Sequence, residues 1–121
     1  MIFLVDDDEI QNLINSKVIS IVNPGLTVRP FNGGEKALDA LGVEDRLPKL
    51  IFLDINMPKM NGWDFLDEYS KNYSVPVYML SSSINSKDRE KSETYPVVKG
   101  FISKPLVVER LAEILNENSI R

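Results

Sequence analysis

The segment IFLVDDDEI, residues 2–10, joins four consecutive apolar residues directly to three aspartates. An unbroken apolar run of this length is typical of a strand that is buried on both faces, as the strands of a parallel sheet are. Helical periodicity follows directly, and Asp8 with Gln11 resembles a capping box at the helix start. The apolar positions on one face of this predicted helix are Ile10, Leu13, Ile14, Val18, Ile21 and Val22. The segment therefore predicts a βα unit with an acidic junction.

The alternation of short apolar runs and longer helical segments continues along the chain. Further strands are predicted at 26–31, 49–53, 75–80 and 97–102, and further helices at 32–41, 60–71, 86–95 and 105–117. Pro30 suggests that the second strand lies at an edge of the sheet, and Pro105 suits the first turn of the last helix. The pattern predicts a single α/β domain over residues 1–121, with a doubly wound, five-stranded parallel sheet of order 2-1-3-4-5 and flavodoxin-like (βα)5 topology.

The composition excludes several kinds of chemistry and partner. The chain has 121 residues, a formal net charge of -4, no cysteine and no histidine. There is no general basic field for nucleic acid and no disulfide framework. Without histidine the chain has no imidazole to act as a base, metal ligand or phosphocarrier. No apolar run is long enough to span a membrane and no signal peptide is recognisable, so we expect a cytoplasmic protein with no direct contact to membrane or nucleic acid.

Polar side chains follow four of the predicted strands. Asp6 and Asp7 follow the first strand, Asp54 the third and Ser81 the fourth, and Lys104 lies two residues beyond the fifth. In the order 2-1-3-4-5 these strands are adjacent, so their carboxyl ends would bring the side chains into one shallow pocket. Three carboxylates repel one another unless a hard divalent cation such as Mg²⁺ lies between them. With a lysine and a hydroxyl added, the set fits transfer of a phosphoryl group to a carboxylate.

Four segments of the chain carry a resemblance to a known family. They are VDDDE at 5–9, FLDINMPKMNGWDFL at 52–66, VYMLSSS at 77–83 and FISKPL at 101–106. In this order and spacing they resemble, over nearly the whole chain, the receiver domain of two-component response regulators. The chain departs from the family before the fifth strand, where Pro96, Val97 and Val98 replace a frequent Gly-Ala.

The resemblance implies a metal site and a phosphoacceptor in the predicted pocket. Asp54 would be the phosphoacceptor. Asp6 and Asp7 would hold Mg²⁺ with Asp54, with Asp7 as a direct ligand and Asp6 acting through water. The backbone carbonyl of Asn56 would complete the ligands from the protein.

The resemblance also implies groups that sense the phosphoryl group. Ser81 stands where the family has Ser or Thr, and Lys104 stands where it has its lysine. Phe101 stands at the switch aromatic of the family. The peptide bond from Lys104 to Pro105 would be cis, because the family has a cis bond at this place.

As a receiver, the chain would accept a phosphoryl group from a sensor histidine kinase or a histidine phosphotransfer protein. It would catalyse only its own phosphorylation and dephosphorylation. Because it contains no histidine, the donor would be another protein or a small phosphodonor. The chain ends soon after the fifth helix, which predicts a stand-alone receiver that signals through protein contact or by passing the phosphoryl group onward. We expect an unknown downstream protein to bind through residues 86–117.

Other functions fit parts of the same pattern. A haloacid-dehalogenase-like phosphatase also uses an Asp nucleophile with Mg²⁺, but it needs a second Asp two residues later, where this chain has Asn56. A flavodoxin-like FMN carrier would need a Ser/Thr/Gly-rich phosphate loop in place of the three aspartates. A receiver could also serve only as a docking module, without phosphorylation. Capping of the first helix would explain one aspartate, and Asp8 already fills that place.

Overall fold

The computed structural model describes residues 1–43, 46–82 and 85–120, in which strands and helices alternate. The strands are β1 (Ile2–Val5), β2 (Val28–Phe31), β3 (Leu50–Asp54), β4 (Val77–Ser81) and β5 (Val98–Ser103). The helices are α1 (Glu9–Val22), α2 (Gly34–Val43), α3 (Gly62–Tyr69), α4 (Ser86–Glu93) and α5 (Val108–Glu117). Within these ranges, no helix has the length and apolar composition needed to cross a membrane. Ser83, the last residue of the VYMLSSS segment, and Arg121, the end of the predicted domain, lie outside the described residues.

The strands form one parallel sheet in the order β2-β1-β3-β4-β5, which confirms the predicted topology. The register aligns their carboxyl ends, since Val5 pairs with both Phe31 and Leu53, and Ser81 pairs with Ser103. Strand β2 lies at an edge of the sheet. Pro30 has no backbone N–H to donate, and at an edge this does not interrupt the hydrogen bonds between inner strands. The loops that follow the strands therefore gather at one end of the sheet.

Two helix layers cover the sheet because successive strand side chains point to opposite faces. Leu4 and Phe52 pack in a core with α1 and α5 on one face. Phe3 and Leu53 pack in a core with α2 and α3 on the other face. Burial of each such side chain contributes on the order of 2 kcal/mol to stability. These cores hold the carboxyl ends of the strands in fixed positions.

The predicted apolar face of α1 is wrong. The buried residues of the helix are Asn12, Asn15 and Ile19. The side chains of Ile10, Leu13, Ile14 and Ile21 are 40–69% exposed, and Val18 and Val22 pack only partly against the core. Two stripes of helical spacing exist in this sequence, and the less apolar one faces the sheet. The side-chain amide of Asn12 on this stripe donates to the backbone carbonyls of Asp6 and Phe31 near the strand ends, which an aliphatic side chain could not do.

The structure corrects the predicted start of α5 and one detail of the predicted cap of α1. Pro105 is not in the first turn of α5, which begins at Val108 after a cap residue that makes no side-chain bond. Pro105 instead follows a cis peptide bond, as the resemblance implied. Asp8 caps α1 by accepting the backbone N–H groups of Ile10 and Gln11. The reciprocal half of a capping box is missing there, because the Oε1 atom of Gln11 is buried without a partner among the described residues.

Candidate functional site

The carboxyl end of the sheet brings together the side chains that the sequence singled out. Asp6 directly follows β1, Asp54 ends β3, Ser81 ends β4 and Lys104 directly follows β5. Asp6, Asp54 and Ser81 are buried, and Lys104 is half-buried. Adjacent parallel strands place these residues side by side although they are far apart in the sequence.

Three carboxylates form the acidic part of the site. Oxygen atoms of Asp6, Asp7 and Asp54 all lie within 4.8 Å of one another. Asp7 is exposed, so the cluster opens to solvent on its side. Asp6 is held firmly, because its Oδ1 atom accepts the backbone N–H of Asp8 at 2.9 Å. The cluster is a fixed arrangement of negative charge at the carboxyl end of the sheet.

Lys104 supplies the positive charge that the cluster contacts. Its Nζ atom lies 2.8 Å from Oδ2 of Asp6 and 3.2 Å from Oδ1 of Asp54. Burial by itself lowers the pKa of Lys104, but the hydrogen bond to Asp6 and the charge of Asp54 outweigh burial and raise it. Lys104 therefore stays protonated and bridges two strand ends.

The Asp54 carboxyl has a pKa raised to about 6. Burial is the largest cause, and repulsion from Asp6 acts in the same direction. Lys104 and a backbone hydrogen bond involving Asn56 lower the pKa, but they offset only part of the rise. In the protein alone, one ammonium is thus too little to neutralise the acidic cluster.

The oxygen donors of this cluster fit a magnesium ion. Mg²⁺ prefers carboxylate and carbonyl oxygens and keeps several waters, so an acidic group that is open on one side suits it. Asp6, Asp7 and Asp54 provide the carboxylates. Asn56 is exposed two residues beyond β3, where its backbone adjoins Asp54. A cation there would relieve the repulsion that raises the pKa of Asp54.

Gly62, at the start of α3, lets the helix approach the site. A Cβ atom at Gly62 would lie 2.8 Å from the carbonyl oxygen of Asp54. The Gly62 N–H donates to the carbonyl of Ile55 at 2.8 Å. Asn61 and Asp64 form a capping box that starts α3 at this point. The Asn-Gly pair was the available sequence signal, since it combines a helix cap with the smallest residue.

Phe101 lies apart from the acidic cluster, on β5 beside Met79 of β4. Its ring is half-buried and borders a cavity of about 200 Å³ between α4 and β5. Arg89 and Ser92 of α4 line the same cavity. The resemblance implied a switch aromatic here, and the cavity gives this ring a neighbouring space.

The sequence matches the family described as the response regulator receiver domain over residues 2–116. The chain belongs to this family. This receiver domain resembles the crystal structure of a two-component response regulator from Cytophaga hutchinsonii, with 30% identity, a TM-score of 0.89 and coverage of 98% of this chain and 95% of that chain. It also resembles a response regulator receiver protein from Dyadobacter fermentans, with 26% identity, a TM-score of 0.86 and coverage of 99% and 98%.

Among curated proteins, this receiver domain is 26% identical to the sensor histidine kinase CheAY of Helicobacter pylori. That match covers 98% of this chain and 15% of the relative. A match to the sensory/regulatory protein RpfC of Xanthomonas campestris is 27% identical and covers 97% of this chain and 16% of that protein. The receiver domain thus corresponds to a small part of each of these longer relatives.

Proposed function

We propose that this receiver domain accepts a phosphoryl group on Asp54 with the help of Mg²⁺. The observation that carries the proposal is the cluster of Asp6, Asp7 and Asp54 oxygens within 4.8 Å. Lys104 contacts only two of these carboxylates, so negative charge remains in excess. In the proposal, the three carboxylates and the backbone carbonyl of Asn56 hold the ion.

The proposed reaction forms an acyl phosphate on the protein. A carboxylate oxygen of Asp54 makes the new O–P bond while the P–N bond of a donor phosphohistidine breaks, and the leaving imidazole takes a proton from solvent. Bound Mg²⁺ supplies neutralisation of the phosphoryl charge. Lys104, 3.2 Å from Asp54, exchanges that contact for a bond to a phosphoryl oxygen, and Ser81 donates its hydroxyl to another. Hydrolysis later returns the free carboxylate, so the domain acts only on itself.

The proposed donor is a sensor histidine kinase or a histidine phosphotransfer protein. Residues 1–121 contain no histidine, so the donor phosphohistidine lies outside them. The exposed side chains of Ile10, Leu13 and Ile14 follow the acidic loop on α1 and offer an apolar surface beside it. A protein donor can cover this surface while its phosphohistidine reaches Asp54. This exchange is proposed to take place in the cytoplasm.

The proposed output passes through residues 86–117 to a downstream protein. When Ser81 moves toward the phosphoryl group, space opens beside β4, and Phe101 can turn inward from the cavity that it borders. Such a change alters the surface of α4 and β5. The downstream protein detects the change through contact with this surface. A phosphoryl group shifts the equilibrium only through contacts that differ between the two states.

The phosphatase alternative has no supporting observation. The position two residues after Asp54 holds Asn56, which cannot act as the acid and base that such an enzyme needs. The family match over residues 2–116 is to receivers.

Phosphorylation with acetyl phosphate tests the proposed function. Mass spectrometry of the wild-type chain should show one added phosphate in the presence of Mg²⁺ and none after EDTA is added. The Asp54→Asn variant should stay unlabelled, because an amide oxygen is a much weaker nucleophile than a carboxylate. Asp39→Asn is the matched control, since Asp39 is an exposed carboxylate on α2. Labelling of Asp54→Asn at the wild-type level would contradict the assignment.

A further inference from the structure

The sheet-facing side of α1 carries two amides where aliphatic side chains are expected. Asn12 and Asn15 are 5% and 1% exposed, respectively. Burial of an amide costs free energy unless its polar atoms are hydrogen-bonded. The Oδ1 atoms of both residues are buried without a partner among the described residues. Packing alone gives no reason for an amide at either place, so any advantage of Asn12 must come from its nitrogen.

The side-chain nitrogen of Asn12 joins the carboxyl ends of two strands. Nδ2 donates to the carbonyl of Asp6 at 2.9 Å and to the carbonyl of Phe31 at 3.3 Å. The backbone N–H of Asp6 donates to the same Phe31 carbonyl at 3.0 Å. Asn12 therefore continues the pairing of β1 and β2 past their last strand residues. It does so at the point where the acidic loop begins.

We propose that Asn12 is a positioning residue for the metal-binding carboxylates. The Asp6 carbonyl belongs to the peptide group that joins Asp6 to Asp7, so a bond to it orients the start of Asp7. The two carboxylate oxygens of Asp6 are held separately, by the N–H of Asp8 at 2.9 Å and by Lys104 at 2.8 Å. Asn12 adds the backbone restraint that the side-chain bonds do not supply. The inference rests on the proposed function, because it gives Asn12 a part in binding Mg²⁺.

Titration of the folded chain with Mg²⁺, without any phosphodonor, tests this role. Asn12→Leu keeps the size of the side chain and removes the donor. The dissociation constant for Mg²⁺ should rise about 10-fold or more, which is the usual cost of losing a group that orients a metal ligand. Amide NMR of the metal-free variant should show shifted signals for Asp7 and Asp8. Asn15→Leu is the matched control, because within the described ranges no hydrogen bond joins the side chain of Asn15 to residues 6–8. Its affinity should stay within about twofold of the wild type.

The outcomes separate this inference from the function on which it rests. Wild-type affinity in a folded Asn12→Leu chain would overturn the positioning role and leave the proposed function standing. An equal loss in Asn15→Leu would also overturn it, since any change on the buried face of α1 would then suffice. Failure of the wild-type chain to bind Mg²⁺ would overturn the proposed function and this inference together. If Asn12→Leu does not fold, Asn12→Ala compared with Asn15→Ala gives the same decision.

Discussion

The fold strongly changes the pH at which the Asp54 carboxyl takes up its proton. Its pKa is raised to about 6 in the protein without metal, whereas an unfolded Asp titrates near 4. The folded state therefore binds this proton more tightly than the unfolded state does. The stabilising effect of the proton is complete below about pH 4 and is lost as the pH rises through about 6.

The raised pKa predicts how the stability of the metal-free chain depends on pH. Between pH 7 and pH 5, the free energy of unfolding of the wild type should rise relative to that of Asp54→Asn by about 1.3 kcal/mol. The amide variant has no such proton to bind, which is why the difference changes with pH. Urea unfolding in EDTA at pH 5, 6 and 7 measures it, with Asp39→Asn as the control. A difference between the two chains that does not change with pH would contradict the raised pKa.

For single residues, the sequence indicated those that combine a charged side chain with a position directly after an apolar strand. Asp6, Asp54 and Lys104 are charged residues at the ends of apolar strands, and such a place is seldom chosen by packing. Asn12 and Gly62 were not predicted to serve the site. The role of an amide on a helix depends on which carbonyls lie opposite it, and the role of a glycine depends on the distance to its neighbour. Neither quantity is contained in spacing or composition.

Helix α4 packs weakly against the rest of the domain. Of its residues Ser86–Glu93, only Ser92 is buried. A cluster at its C-terminal end joins it to α3. The rings of Trp63 and Tyr95 stack with centroids 5.9 Å apart, and the Nζ atom of Lys91 lies 5.1 Å from the centroid of the Trp63 ring. The hydroxyl of Tyr95 donates to Asp67 of α3 at 2.6 Å. These contacts replace the apolar face that α4 lacks.

Removal of one hydroxyl should loosen α4 without disturbing the rest of the chain. Tyr95→Phe loses the bond to Asp67, and we expect a cost of about 1 kcal/mol because the bond is partly exposed. Hydrogen exchange of the α4 amides should speed up, while exchange in α5 should not change. Trp63 is the single tryptophan of the chain, so its fluorescence reports on the same contact.

Tyr73→Phe is the control for this prediction, because Tyr73 stacks on Tyr69 rather than on α4 residues. It should leave α4 exchange unchanged. Unaltered α4 exchange in Tyr95→Phe would show that the Trp63 and Lys91 contacts hold the helix without the hydroxyl.

The helices show what hydrophobic periodicity can predict about a helix and what it cannot. The existence and approximate bounds of α1 followed from its sequence, but its buried side did not, because Asn12 and Asn15 face the sheet and Ile10 and Ile14 face solvent. Periodicity shows that a helix has two sides. The groups that meet each side decide which one is buried. The start of α5 was misplaced for a related reason, since Pro105 is compatible with both a helix start and a cis bond.

For the whole molecule, the exposed side of α1 predicts a difference between protein and small-molecule phosphodonors. Ile10→Ala removes apolar surface next to the acidic loop and keeps helix propensity. Phosphotransfer from a phosphorylated histidine phosphotransfer domain that labels the wild type should slow by about 5-fold or more, as expected for an interface residue worth about 1 kcal/mol. The rate with acetyl phosphate should not change, because that donor needs no docking surface.

Ile21→Ala is the matched control on the same helix. Ile21 is 69% exposed and Ile10 is 68% exposed, but Ile21 lies near the far end of α1 from the acidic loop. Its replacement should affect neither donor. An equal slowing by both variants would point to a general effect on the helix, and no slowing by Ile10→Ala would remove this surface from the donor site.

The topology of the molecule was predictable because few arrangements satisfy its pattern. Short apolar runs that alternate with helices require crossover connections, which are right-handed in nearly all proteins. The strand order itself followed from the doubly wound fold and was confirmed. The sequence could not give the packing of α4, because a helix without an apolar face is positioned by a few specific contacts.

The ion pair between Lys104 and Asp6 joins residues that are 98 positions apart in the chain. A polypeptide that is still emerging from the ribosome cannot make this contact until β5 has been synthesised and has docked on β4. Partly made or partly refolded chains should therefore hold the carboxylates of Asp6 and Asp54 without the ammonium of Lys104, even when β1 and β3 are already paired. In a refolding experiment, formation of the contact between Lys104 and Asp6 should therefore mark the arrival of the last strand.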